Sequence, residues 1–265
     1  MSRSLLPYDF TLWLQRLLAA IFLGGQVLIH MISRPIHRRN TLDQMAAVGP
    51  QSVLIAMVTA LCVAMVFTIQ VTREFITFGA GTAIGGVLAL TLARELSPVL
   101  TAVVIAGRVG SAFAAEIGTM RVTEQIDALQ MLQSDPVDYL VIPRVIACSL
   151  MLPLLSMMSF VVGMMGGLLV ATNIYDLSPT LFINSARNFL TPWDLASALI
   201  KAMIFGTLIA VIGSSWGLTT TGGAKGVGQS TTTAVVTSLL AIFVANFFLS
   251  WLMFQGTGSA LAGGI

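Results

Sequence analysis

The sequence predicts an all-α polytopic membrane protein: an N-terminal interfacial helix, five transmembrane helices, and a cytoplasmic coupling helix between spans two and three. The first observation is composition. Of 265 residues, 56% are hydrophobic and only 9% are charged, and mean hydropathy is +0.92, whereas soluble domains carry about 25% charged residues. The second is a series of apolar runs long enough to cross a bilayer. The predicted spans are residues 51–71, 80–118, 143–172, 195–216 and 231–254.

The first 40 residues form a separate predicted segment ahead of a membrane domain at 41–265. One face of the predicted helix is apolar, and the other is interrupted by Gln15, Arg16, Gln26 and His30. This pattern is typical of a helix lying in the membrane interface. The apolar face consists of Leu14, Leu17, Leu18, Ile21, Phe22, Leu28, Ile29 and Ile32. The basic run at 34–39 then predicts a cytoplasmic N-terminus by the positive-inside tendency.

The second span holds four charges in apolar surroundings, namely Arg94, Glu95, Arg108 and Glu116. Charges at membrane depth are costly and persist mainly where they face protein, water or a partner charge. As one straight helix, residues 80–118 would be about 58 Å long, roughly twice the hydrocarbon thickness. Pro98 is therefore predicted to kink or divide the run, with the true span after it.

Small residues recur every fourth position in the same span, which places them on one side of a helix. Such a row makes a shallow groove in which another helix can approach closely. The sequence predicts a helix-packing seam, either as ordinary packing or as a contact between moving or dimerised helices. Its residues are Ala102, Ala106, Gly110, Ala114 and Gly118.

Residues 122–133 are polar and predict a short amphipathic helix on the cytoplasmic side. Thr123 is predicted to cap it, and Glu124 and Asp127 suit the positive end of its dipole. Ile126, Leu129 and Leu132 share one face that this chain does not visibly cover, so a partner protein is the expected recipient. Gln125 completes the predicted contact surface.

Two polar stretches separate the last three spans. Residues 175–194 predict an external loop with a short helix, and Lys201 just after it is expected to snorkel to the interface. Residues 217–230 predict a cytoplasmic loop. It nearly matches a phosphate-binding loop, but Gln229 stands where the lysine is required, so nucleotide binding is not predicted.

Other function classes find little support. A net charge of +2 without a long basic run argues against nucleic-acid binding. Cys62 and Cys148 lie in apolar spans and offer no disulfide framework or metal spacing. The two histidines, His30 and His37, join no nucleophile–base set, so neither a metal site nor an enzyme is predicted.

The string ARELSPVLTAVVIAGRVGSAFAAEIGTMRVTEQIDAL at 93–129 resembles the MlaE/YrbE permease family, and the resemblance extends over residues 40–254. The chloroplast permease of the trigalactosyldiacylglycerol importer is similar. These permeases are membrane subunits of ABC transporters that work with MCE-domain lipid-binding proteins. The resemblance therefore implies that residues 41–265 are a permease domain that moves phospholipid or a related lipid between membranes.

The resemblance also implies partners and a location. A homodimer or paired permease, cytoplasmic ABC ATPase subunits and a separate MCE-domain protein are expected. ATP and Mg would be bound by the ATPase, and this chain would carry no cofactor. The expected location is the inner membrane of a bacterium or cyanobacterium, or the plastid inner envelope. Residues 123–132 match the family's coupling helix.

By the same resemblance, Arg94 and Glu95 match a charged pair near the family's lipid cavity. Arginine geometry suits phosphate oxygens, and Glu95 is expected to position Arg94 or to weaken binding for release. A structural ion pair at the kink is the alternative for both. The predicted cavity wall consists of Leu61, Met65, Ile69 and Gln70. The alternative function is a self-contained secondary transporter or channel for an amphipathic solute, since intramembrane charges fit that class too.

Overall fold

The computed structural model describes residues 8–33 and 38–255, and within them all regular structure is helical. Residues 34–37 of the predicted basic run, which include Arg34 and His37, lie outside the described residues, as do residues 256–265. The helices are α1 Tyr8–Ser33, α2 Arg38–Val48, α3 Pro50–Thr77, α4 Ile84–Thr91, α5 Ser97–Ile105, α6 Ser111–Val122, α7 Gln125–Met131, α8 Ile142–Asn173, α9 Pro179–Phe189, α10 Pro192–Leu218 and α11 Gly223–Gln255.

In the described ranges, six helical stretches are long and apolar enough to cross a membrane. Five correspond to the predicted spans, and the sixth is Trp13–Met31 within α1, which the sequence assigned to the interface. Length and composition therefore allow α1 to cross as well. The six stretches are Trp13–Met31, Arg38–Thr77, Gly81–Val122, Val137–Asn173, Pro192–Leu218 and Gly223–Phe254.

Helical backbone continues through Pro98, so the stretch Gly81–Val122 is not divided there, and a kink at Pro98 stays a prediction. Instead, π-helical turns at Leu92–Leu96 and Ala106–Gly110 interrupt otherwise α-helical backbone. Pro98 lies directly after the first π turn, near the start of α5. Proline has no backbone N–H and cannot donate to the carbonyl four residues earlier. It is tolerated near the start of α5 because the preceding π turn already departs from this α-helical hydrogen-bond pattern.

The predicted loop at 217–230 is mostly helix, so that prediction is wrong. Helix α10 ends at Leu218, and α11 already begins at Gly223 after a turn in which Gly222 has φ +87°. Gly226 fits against the carbonyl of Thr221, where any side chain would collide. Glycine at this position allows the backbone of α11 to lie close to the Thr221 carbonyl. The glycine content of the stretch alone could not distinguish such close packing from a flexible loop.

The chain divides into two compact units. Unit 1 comprises residues 1–48, 106–148 and 207–241, and unit 2 comprises residues 49–105, 149–206 and 242–265. Unit 1 has a core in which Ala20, Ala114 and Ala234 surround the fully buried Trp216. The core of unit 2 joins Ala64, Ile84, Leu88, Leu92, Ala171 and Phe182.

In unit 1, α1 packs against the core through only part of its surface and leaves most of the predicted apolar face exposed. Leu14, Leu18, Ile21, Phe22, Leu28 and Ile29 are exposed, whereas Ala20, Leu23 and Val27 are buried and Trp13 and Leu17 pack against the core around Trp216. Apart from Leu17, the described residues of the predicted apolar face are thus exposed, as a surface that meets lipid would be. The side chain of Ile32 lies outside the described residues.

All five residues of the predicted seam are buried. In unit 1, a Cβ on Gly213 of α10 would lie 2.9 Å from the carbonyl oxygen of Gly110, and one on Gly118 would lie 3.0 Å from the Thr220 hydroxyl. The seam from Ala106 onward therefore packs against α10 of the same chain, so the small residues allow two helices of this chain to approach closely.

Candidate substrate site and coupling segment

Unit 2 holds a cluster of charged side chains that begins at the first π turn. Arg94 and Glu95 lie in this turn, and consecutive helical residues point in different directions. Each therefore finds its own partners on other helices, and the two do not form the ion pair with each other that the sequence allowed. Glu95 therefore does not contact the Arg94 guanidinium directly, and a role in positioning it stays a prediction.

Arg94 pairs with Asp194 at the start of α10. The distance from Arg94 Nε to Asp194 Oδ1 is 2.7 Å, and the backbone N–H and hydroxyl of Thr191 each donate to Asp194 Oδ2 at 2.8 Å. The Asp194 side chain is fully buried, while that of Arg94 is 39% exposed. The Arg94 guanidinium also lies 4.4 Å from the ring centroid of Phe254, a favourable cation–π distance.

Glu95 is the centre of a second network. Its Oε1 accepts from Lys201 Nζ at 2.9 Å and from the Ser250 hydroxyl at 2.7 Å, and its Oε2 accepts from the Asn246 amide at 2.7 Å. Lys201 is fully buried, so the prediction that it snorkels to the interface is wrong. Its ammonium is satisfied inside unit 2 because a carboxylate, a hydroxyl and a carbonyl surround it.

The backbone carbonyl that Lys201 contacts is that of Arg94. Lys201 Nζ donates to it at 2.7 Å. In an α-helix this carbonyl would accept from the N–H four residues later, but residue 98 is proline and has none. Pro98 and the π turn thus expose a backbone acceptor that the buried lysine uses, which links the helix irregularity to the charge cluster.

The two networks leave different groups available for a ligand. Both carboxylate oxygens of Glu95 already accept protein donors, and Asp194 is buried. Arg94 is partly exposed, and within the described chain its two terminal nitrogens donate to no protein acceptor. Arginine nitrogens in such a fork suit the oxygens of a phosphate or carboxylate. Arg94 is therefore the group of this cluster best placed to meet an anion.

The residues predicted as an apolar cavity wall contact other neighbours. Leu61 and Met65 pack closely around Gly166 of α8. The Ile69 carbonyl accepts from the Tyr175 hydroxyl at 2.8 Å, and Gln70 is exposed. The contacts of the described residues do not join this set to Arg94, so a shared cavity stays a prediction.

Sequence reasoning missed Asp194, Lys201, Asn246 and Ser250. Two signals were present: Lys201 is a lone cation inside an apolar span that needs an acidic partner, and Asn246 and Ser250 are four residues apart on one helical face. Lys201, Asn246 and Ser250 each lie more than a hundred residues from Glu95 in the sequence, so no local pattern indicates that they pair with it.

The other intramembrane charges lie in unit 1. Arg108, in the second π turn, donates to the Ala47 carbonyl at 3.2 Å. Glu116 Oε2 accepts from Arg144 Nη2 at 2.8 Å, and Arg144 is 6% exposed. These contacts connect segments within the unit, as interhelical bonds that stabilise packing do.

Unit 1 also brings together His30, Asp135 and Asp138. Nδ1 of His30 lies 2.7 Å from Asp138 Oδ1 and 3.9 Å from Asp135 Oδ2. Possible ligand atoms of all three lie within 4.8 Å of one another. These are the residues of the described chain that could hold a metal ion, and they also fasten α1 to the turn before α8.

The predicted coupling segment differs in two respects from expectation. The helix is shorter, Gln125–Met131, and Glu124 before it has φ +62°. Thr123 does not cap it, because its hydroxyl donates backward to the Thr119 carbonyl at 2.8 Å and thus belongs to the end of α6.

Two of the three residues of the predicted apolar face, Ile126 and Leu129, are covered by other segments of the chain. Ile126 is 2% exposed and clusters with Ile117 and Leu140, and Leu129 packs against them. The exposed apolar side chains lie at the end of the helix instead, where Met131 is 88% and Leu132 75% exposed. Glu124, Gln125 and Asp127 are exposed beside them.

Comparison with known proteins assigns the family. A family model described as "Permease MlaE" matches residues 41–252. The chain belongs to the MlaE permease family. It is 67% identical over 256 residues to a probable ABC transporter permease protein of Synechocystis, covering 97% of each chain.

Two further relatives of the permease come from a plant and a bacterium. The chain is 52% identical over 249 residues to the chloroplast protein TRIGALACTOSYLDIACYLGLYCEROL 1 of Arabidopsis thaliana, covering 94% of this chain and 71% of that one. It is 40% identical over 225 residues to a probable ABC transporter permease protein of Rickettsia prowazekii, covering 85% and 87%. The protein is therefore an ABC transporter permease, a multi-helical membrane subunit rather than an enzyme.

Proposed function

We propose that this permease moves phospholipid or a related glycerolipid between membranes, driven by a separate cytoplasmic ATPase and working with an MCE-domain lipid-binding protein. The family match over residues 41–252 carries the proposal. It is supported by the 52% identity to a chloroplast protein that is named for trigalactosyldiacylglycerol, a glycerolipid.

In this proposal the charge cluster of unit 2 handles the polar end of the lipid. The terminal nitrogens of Arg94 bind headgroup oxygens, while Asp194 holds the guanidinium through Nε at 2.7 Å. Glu95 and Lys201 neutralise each other and keep the surroundings polar without adding net charge. Because one fork of one arginine provides the contact, a headgroup is held weakly enough to be released.

Force from the ATPase enters through α7 and the residues after it. The ATPase subunits, which bind ATP and Mg, contact the exposed end at Met131 and Leu132. Ile126 then transmits the displacement, because it is packed between Ile117 of α6 and Leu140 ahead of α8. The buried stripe thus acts as the connection into the permease rather than as the docking surface.

The proposed assembly has a membrane core made of two permease subunits. Two permease copies, or a pair of related permeases, form the membrane core in the inner membrane of a bacterium or cyanobacterium or in the plastid inner envelope. The N-terminus is cytoplasmic, as the basic Arg38 and Arg39 favour, and α1 lies in the interface with its exposed apolar face toward lipid. The chain itself contributes no cofactor.

Reconstitution tests this function directly. The chain, its ATPase and its MCE-domain partner are placed in phosphatidylcholine vesicles with a fluorescent phospholipid, and lipid transfer to the MCE protein is followed. Transfer that requires hydrolysable ATP is expected. Transfer that proceeds without the ATPase and follows an ion gradient would instead identify a self-contained secondary transporter.

A further inference from the structure

A groove in unit 1 lies between α1 and the beginning of α11. Its volume is about 670 Å³, in the range of ligand-binding clefts. Trp13 and Arg16 line it from α1, and Lys225, Gln229 and Thr232 line it from α11. A Cβ at Gly228 would meet nothing within 4 Å, so there is open space beside this residue, and glycine adds no side chain to fill it.

The groove is positively charged. Among the described residues, the two terminal nitrogens of Arg16 donate to neutral oxygens, the Ser230 hydroxyl at 3.3 Å and the Thr219 carbonyl at 3.4 Å. Both bonds are long, and no carboxylate of the described residues forms a salt bridge with Arg16 or Lys225. Two cations in one cleft without an acidic partner favour an anionic ligand.

The face of α11 that lines the groove changes in polarity as it continues beyond the groove. Lys225, Gln229 and Thr232 lie on one face of α11, and Val236 and Leu240 continue that face, 50% and 53% exposed. Each step is three or four residues, so the side chains form a continuous row. The row therefore passes from cationic to polar to apolar, in the order in which a lipid passes from headgroup to acyl chain.

The α1 side has the same order. The Trp13 indole donates to Thr237 at 3.0 Å, one helical turn from Arg16 and beside the apolar part of α11. Tryptophan in this position, with its ring on an apolar wall and its N–H bonded, is typical of the membrane interface. The exposed Leu14, next to Trp13, extends the apolar surface on this side.

We propose that this groove binds an anionic phospholipid, with its phosphate between Arg16 and Lys225 and an acyl chain along Val236 and Leu240. The site is formed by unit 1 alone and is separate from the charge cluster around Arg94. The bound lipid stays with the protein while cargo passes, so the proposal does not depend on which molecule is transported. A soluble phosphate would use the two cations but gain nothing from the apolar row.

Native mass spectrometry of the full chain tests the proposal. The purified protein is exchanged from detergent into nanodiscs of phosphatidylcholine with a minor fraction of phosphatidylglycerol, and the lipids retained after gentle delipidation are counted. Arg16→Gln and Lys225→Gln each remove one cation, and Arg73→Gln removes an exposed cation elsewhere as the matched control. Gly228→Leu fills the groove without changing charge. Inorganic phosphate and glycerol 3-phosphate are added as soluble competitors.

Wild type and Arg73→Gln are expected to retain phosphatidylglycerol in preference to phosphatidylcholine. Each cation removed from the groove should reduce that preference roughly fivefold, and Gly228→Leu should reduce retention although the charge is unchanged. An equal loss in Arg73→Gln would show only general surface attraction and overturn the site. Efficient competition by inorganic phosphate would overturn the lipid as its ligand. Because binding is measured rather than transport, failure here leaves the proposed transport function standing.

Discussion

Lys201 donates a 2.7 Å hydrogen bond to the backbone carbonyl of Arg94, the acceptor that Pro98 leaves without its α-helical donor. One buried ammonium thus satisfies a helix defect and the carboxylate of Glu95 together. Removing it leaves the carbonyl without this donor and leaves Glu95 without its cation, although Ser250 and Asn246 still donate to the carboxylate.

Lys201→Met is expected to lower the free energy of unfolding by about 3 kcal/mol, the low end for a broken buried pair, because Glu95 is 40% exposed. In a Pro98→Ala background residue 98 regains an N–H for the Arg94 carbonyl, so the same substitution should cost about 1 kcal/mol less. Thermal unfolding of the four proteins of this cycle in detergent measures the coupling. Strictly additive effects would contradict the shared acceptor.

Arg94→Gln should reduce crosslinking of a photoactivatable phospholipid to the assembled transporter at least about tenfold, because it removes the charged donors proposed for the headgroup. Arg94→Lys should recover only part of it, since lysine cannot form the two-pronged contact. Arg187→Gln, on α9, is the control cation substitution. Crosslinking unchanged in Arg94→Gln would remove this residue from the substrate site.

Met131→Asp with Leu132→Asp should abolish co-purification of the ATPase while leaving the melting temperature within about 2 °C, because both side chains are exposed. Ile126→Asp should instead destabilise the permease itself by more than about 3 kcal/mol, since it buries a charge among Ile117 and Leu140. Loss of the ATPase from a stable Ile126→Asp protein, with retention in the double variant, would reverse the proposed roles.

Gly213→Ala should destabilise the permease by about 1–3 kcal/mol, because the added methyl group would lie 2.9 Å from the Gly110 carbonyl oxygen. Gly107→Ala lies in the same small-residue region but meets nothing within 4 Å. It should be neutral or slightly stabilising, as alanine favours helix. Equal melting temperatures for the two variants would argue against close packing at the seam.

The sequence was informative where a local pattern determines structure. Apolar length predicted the five main spans, and four-residue spacing identified the seam from Ala102 to Gly118, whose residues are all buried. Intramembrane charge indicated Arg94 and Glu95 as members of a polar cluster. These inferences depend only on helix periodicity and on the cost of charge in lipid.

It was uninformative where partners are distant or the backbone departs from a regular helix. Composition allowed two opposite locations for Lys201, and only its contact with Glu95, 106 residues earlier, decides between them. Proline suggested a break at Pro98, whereas the chain accommodates it with a π turn. The stripe at Ile126 looked uncovered because Ile117 and Leu140, which cover it, lie on other segments.

The π turn Leu92–Leu96 gives this part of the chain one place where its length can change. A π turn holds one residue more than an α turn, so the loss of one residue there can be absorbed by a return to regular α-helix. The loss of one residue from the α-helical residues 87–91 would instead rotate the start of α4 by about 100° relative to α5. Gly85 and Gly86 on α4 would then move away from Phe182 and Phe189 of α9, against which their bare backbone fits. A change of length should therefore be tolerated in the π turn and should disrupt packing when it falls in α4.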